Sequence, residues 1–241
     1  MTPARLQSSL CALALFAGLL SRSPASASGI NLSWNDCGTY GVGGKSSPCT
    51  ANSGVNIIVG SFVPPPGINT LVAIAATLDV QTSSPVLPNW WQLDRDNGCR
   101  PSSLSSQFNI QTLSSCADFW QGQGLGMMDY RRSDRGANRG LLRLVCAIDE
   151  NAGRSVDSGT EYYAFQVVIN NARSSGSDAC SGCMTPTCII LNSIELDQFG
   201  GPAPQILTNP VNRSMVTWQG GECQGGVRNR TFGQIKSIYR N

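Results

Sequence analysis

Histidine is absent from all 241 residues. That removes Ser-His-Asp and Cys-His nucleophilic sites, and histidine-ligated metal sites, in their usual forms. Charge is also scarce at 13%, and lysine occurs only at Lys45 and Lys236, an arginine bias of the kind base composition produces. Beyond Leu20 no apolar run approaches the roughly 20 residues that a membrane-spanning helix requires. Long helical patterns are few, whereas Gly and Pro number 26 and 13, the punctuation of a turn-rich β protein.

The first stretch has the anatomy of a secretory signal. Arg5 supplies the positive region, Leu10 to Leu20 the apolar core, and Ala25-Ser26-Ala27 a small-residue cleavage site. Residues 1–27 are therefore expected to leave, and the product to be secreted, extracellular or periplasmic, with no transmembrane segment. Loss of Arg5 and Arg22 leaves 15 basic residues against 15 acidic. A formally neutral chain lacks the basic surplus that a nucleic-acid partner demands.

Cysteine is plentiful, at ten residues. Cys11 departs with the signal, leaving an odd nine in an exported chain, so one thiol is left over. In LLRLVCAID the residues Leu142, Leu144, Cys146 and Ile148 alternate onto one strand face, marking Cys146 as a buried free thiol. Cys37, Cys49, Cys99, Cys116, Cys180, Cys183, Cys188 and Cys223 sit mostly among turn residues and are the disulfide candidates. Proximity along the chain suggests Cys37 with Cys49, and Cys99 with Cys116. Within the knot, Cys180 or Cys183 would take Cys188 and the other would reach Cys223. Zinc normally needs four ligands in paired elements, and a redox C-x-x-C opens a helix rather than a strand. No metal, cofactor or catalytic residue is assigned.

Period-two alternation marks strands at Ile30–Trp34, Asn56–Val63, Ile68–Gln81, Leu104–Ile110, Arg139–Asp149, Glu161–Asn171, Cys188–Phe199 and Ser214–Trp218. On the long run after Pro64-Pro65-Pro66, one face carries Ile68, Val72, Ile74, Ala76, Leu78 and Val80. The other carries small residues such as Ala73 and Ala75, which fits an outer face that is partly covered. Gln121 to Asn138, rich in Gly and Arg, reads as a mobile surface loop. Thr231 is expected to cap a short helix in which Phe232, Ile235, Ile238 and Tyr239 share a face. These patterns predict an all-β fold, a two-layer antiparallel β-sandwich of immunoglobulin-like or jelly-roll type over 28–230, with a C-terminal helix over 231–241.

Candidate sites are sparse. Adjacent Trp90 and Trp91 on an extended chain point to opposite sides, so at least one is expected at a rim. With Trp120 and Tyr40 they form the candidate ligand platform, of the kind that stacks sugar rings. Asp94, Asp96 and Asn97 resemble half of a calcium loop, but the twelfth position is Ser105 where a glutamate is required. Asp118, Glu195 and Asp197 offer carboxylates for glycosidase chemistry, and nothing selects a pair. Asn31, Asn212 and Asn229 begin N-glycosylation sequons.

CSGCMTPTCIILNSIEL from Cys180 and TFGQIKSIYR from Thr231, with PNWWQL from Pro88 as a weaker echo, together resemble a group of uncharacterised exported bacterial proteins. These share the C-x2-C-x4-C knot and a terminal pattern of threonine, aromatic, glycine, lysine and tyrosine-arginine; Phe232 stands where that pattern has tryptophan. The resemblance implies export and a sandwich, with no activity attached. The expected function is a non-enzymatic binding or extracellular structural module whose partner is a glycan or a protein. A carbohydrate-binding module and, third, a carboxylate-based hydrolase are the alternatives.

Thiol titration of the denatured, signal-cleaved chain is expected to count one thiol. Three or more would rule out a four-bridge scaffold.

Overall fold

The computed structural model describes residues 27–110, 115–133 and 136–223. The signal segment and the predicted C-terminal helix lie outside those residues, apart from Ala27. Among the described residues eleven strands form: β1 Gly29–Trp34, β2 Gly44–Lys45, β3 Val55–Val63, β4 Leu71–Thr82, β5 Leu104–Gln107, β6 Leu125–Ser133, β7 Gly136–Ala147, β8 Tyr162–Asn170, β9 Thr187–Gln198, β10 Gln205–Leu207 and β11 Met215–Trp218. They make two sheets, β1-β3-β8-β5 and β2-β11-β9-β4-β7-β6, with β10 added to β9. All named pairs are antiparallel except the two-residue contact of β2 with β11.

The inner faces meet as the alternation requires. Ile58, Val167 and Ile169 of the smaller sheet and Leu78, Val80, Leu142 and Ile189 of the larger line one small internal void. β4 departs from strict alternation at its start. Its ladder with β9 is irregular between Leu71 and Ala73, so Leu71 is buried and Val72 half exposed, reversing the expected orientation of Val72.

The segment read as a mobile loop is a correction. It holds β6 and the start of β7, with Leu125, Met127, Asp129 and Arg131 outward and Tyr130 buried. Gly126 hides the pattern because the neighbours leave it no side-chain room: a Cβ there would stand 2.4 Å from the Val145 carbonyl oxygen.

The cysteine pairing also corrects the reading by proximity. Cys37 joins Cys116, Cys49 joins Cys183, Cys99 joins Cys180 and Cys188 joins Cys223, while Cys146 remains a buried thiol. The three knot cysteines therefore reach three separate segments. The Pro88–Trp90 turn packs directly on the knot: Trp90 donates its backbone N–H to the Ser181 carbonyl at 2.8 Å, and Gly182, at φ +100°, would put a Cβ 2.2 Å from Pro88. The bridges close loops of 35 to 134 residues, and a lone crosslink of such span is worth about 4 kcal/mol on a chain-entropy view.

All five tryptophans are buried. Trp90 stacks on Trp218 at 5.3 Å between centroids, and Trp218 leans on Trp34 at 6.0 Å. Over the other face of this column lies Arg100, only 1% exposed, its guanidinium carbon 3.7 Å from the Trp90 ring centroid. Its Nε donates to the Ala172 carbonyl at 2.8 Å, one Nη to the Trp90 carbonyl at 2.9 Å and the other to Asn170. Burial pulls the guanidinium down to about 9, which leaves it charged at neutral pH, and the carbonyls compensate that charge in place of a carboxylate.

Replacing Arg100 by methionine is expected to cost about 3 kcal/mol in denaturant unfolding, since three carbonyls lose their donor. Arg100→Lys should recover little, because an ammonium cannot reproduce the planar fork. An unchanged unfolding midpoint would contradict this account.

Candidate binding groove

Most of the predicted site residues are not brought together. Trp90, Trp91 and Trp120 are each 0% exposed, so the expected aromatic platform does not exist. The rule for adjacent residues fails because Asn89–Trp91 is a 3-10 turn inside the protein, not an extended strand at its rim. Trp90 meets Trp218, Trp91 borders the internal void, and Trp120 donates to the Ala164 carbonyl at 2.8 Å. Tyr40 alone is exposed, on the turn after Cys37.

The carboxylates are likewise dispersed. Asp118 accepts from the Gln121 N–H at 3.0 Å in a turn whose Ala117 bridges to Tyr162 of the smaller sheet, whereas Glu195 and Asp197 lie on β9 of the larger one. Among the described residues no group of three or more Cys, Asp or Glu is placed to hold a metal ion. Asn31 is fully buried, with its amide donating to Glu161 at 2.8 Å, while Asn212 is exposed; Asn229 lies outside the described residues.

One surface groove does collect chemistry, at about 680 Å³. It is lined by the turn from Leu93 to Asn97 and the Met128–Arg132 half of β6, together with Pro101 and Leu104. The half calcium loop is this turn, closed by the Gly98 N–H donating to the Asp94 carbonyl at 3.1 Å. Asp94 itself faces Arg132, with Nε to Oδ1 at 2.6 Å and both side chains largely buried. Arg132 also donates to Gln92 Oε1 at 2.9 Å and to the Asn97 carbonyl at 3.2 Å. Under them the Tyr130 hydroxyl donates to the Trp91 carbonyl at 2.7 Å. Burial, reinforced by the Asp94 charge and opposed by Arg132, pushes that phenol well above its usual range.

At the rim Arg131 meets Asp129 at 2.7 Å, and both are more than half exposed. The groove thus presents both signs of charge in alternation along an edge strand, since β6 ends the larger sheet. Asp94 and Asp129 are thus each engaged by an arginine. Reading Gln121 to Asn138 as a loop concealed Asp129, Tyr130, Arg131 and Arg132. The available signal was the alternation of outward and inward residues in LGMMDYRRS.

No family model matches the chain, and no curated protein matches it. Among solved structures it is similar to a type II cohesin domain from the cellulosome of Acetivibrio cellulolyticus, at 8% identity and TM-score 0.38, covering 78% of this chain and 94% of that one. A cohesin module of a family 33 glycoside hydrolase from Clostridium perfringens gives 5% identity and TM-score 0.30 over 76% and 97%. An uncharacterised Nocardia farcinica protein with an immunoglobulin-like fold gives 14% and 0.29 over 71% and 93%. These likenesses concern the layered all-β architecture alone.

The two arginines should separate in stability. Arg132→Ala is expected to cost about 2 kcal/mol by stranding Asp94, and Arg131→Ala no more than about 0.5 kcal/mol. Equal losses in urea unfolding would refute the division between wall and rim.

Proposed function

We propose that the protein is an exported, non-enzymatic binding module that accepts an extended segment of a partner protein along β6. The observation carrying this reading is the coincidence of an edge strand with the mixed-charge groove beside it. An edge strand offers a row of main-chain donors and acceptors to an incoming strand. Alternate side chains of that strand would enter the groove, where Asp96, Asp129 and Arg131 select for opposite charges. Four disulfides suit an oxidising compartment, in agreement with the signal-like N-terminus. Kinship with the uncharacterised exported bacterial group is part of the same reading. A glycan partner loses its main support with the tryptophans inside the core.

Selection of displayed random peptides against the native protein provides the test. Recovered binders should lose at least about tenfold in affinity, or 1.4 kcal/mol, when Asp129→Lys and Arg131→Glu are combined. Their binding should also protect β6 amides from hydrogen exchange. Undiminished affinity in that variant, or recognition of polysaccharides alone on a glycan array, would overturn the proposal.

A further inference from the structure

β6 ends the larger sheet and makes its main-chain ladder with β7. Among the described residues, no other main-chain bond joins residues 125–132 to a further segment. The stretch carries neither lysine nor proline, two devices by which proteins blunt an exposed edge. Half of its donors and acceptors are therefore open to an incoming strand, and the groove runs beside the same residues.

The charges on this edge select the occupant. Successive outward side chains of β6 are Leu125, Met127, Asp129 and Arg131, the first two 80% and 74% exposed and the last two joined at 2.7 Å. In an antiparallel pair, residues directly opposite one another share a face. Two copies of β6 laid edge to edge in this way are related by a two-fold axis perpendicular to the sheet, and the register is set by the residue on that axis. With Asp129 or Arg131 there, like charges stand directly opposite and repel. With Gly126 or Met128 there, neither charge meets its opposite. With Tyr130 there, Asp129 faces the partner's Arg131 and Arg131 faces the partner's Asp129, so charges alternate in sign around the axis. Arg132, on the inner side, is already held by Asp94 of its own copy.

We infer that the extended segment taken up by β6, on the reading of it as a strand-accepting edge, is β6 of a second copy, paired antiparallel about Tyr130. The two larger sheets then continue into one another, and each copy supplies a cation and a carboxylate to the groove of the other.

Light scattering after size exclusion of the full chain, at tens of micromolar and low salt, provides the test. Twice the monomer mass is expected, falling toward the monomer as salt is raised, because the paired charges are more than half exposed. Asp129→Arg alone and Arg131→Asp alone should each raise the dissociation constant at least about tenfold by setting like charges opposite. Mixing the two variants should restore a dimer, since each then offers the charges that the other lacks. A monomeric unaltered chain, a dimer that both variants keep, or a mixture that stays monomeric would refute the inference. Peptide binding along β6 by a monomeric chain would remove the second copy and leave the strand-accepting edge standing.

Discussion

A charge buried with no counter-charge among the described residues is the constraint on which the rest of this structure depends. Arg100 is held by three carbonyls and the face of Trp90, and those partners come from separate parts of the chain. Ala172 and Asn170 belong to β8 and its exit, and Trp90 to the turn before the groove. Because an unpaired buried cation costs several kcal/mol, these segments and the one that carries Arg100 cannot drift apart independently. The neighbouring Cys99–Cys180 bridge makes the same connection covalently.

From that anchor the remaining features follow outward. Trp90 stacks on Trp218, which donates to the Cys183 carbonyl at 2.7 Å, so the column fixes β11 beneath the cysteine knot. The Asn89–Trp91 turn is thereby immobilised at both ends, and the chain leaving it forms the Leu93 to Asn97 wall of the groove. Arg132 crosses from β6 to that wall and bonds Gln92, Asp94 and the Asn97 carbonyl. The free thiol takes no part: burial pushes Cys146 up to about 12, far from the range in which a thiolate reacts.

Much of the fold was legible because strand alternation is a local property. Tyr163, Phe165, Val167 and Ile169 lie inward as their spacing demands, and the all-β sandwich follows from such runs separated by turn residues. Of the candidate site, the Asp94 to Asn97 turn was legible as a polar loop, but its β6 wall was not. Gly126 interrupts the apolar pattern of β6 for a packing reason that only its neighbours reveal. Trp90 and Trp91 were read by a rule for extended chains, whereas a short helical turn carries both into the interior.

The sequence by itself determined the layered β architecture, the signal-like start and the local settings of the cysteines, since each rests on residues within a few positions of one another. Only the tertiary structure decided which cysteines meet, where the tryptophans lie and that Asp94 faces Arg132. Those outcomes depend on the order of strands in the two sheets, and that order brings together residues 35 to 134 positions apart along the chain.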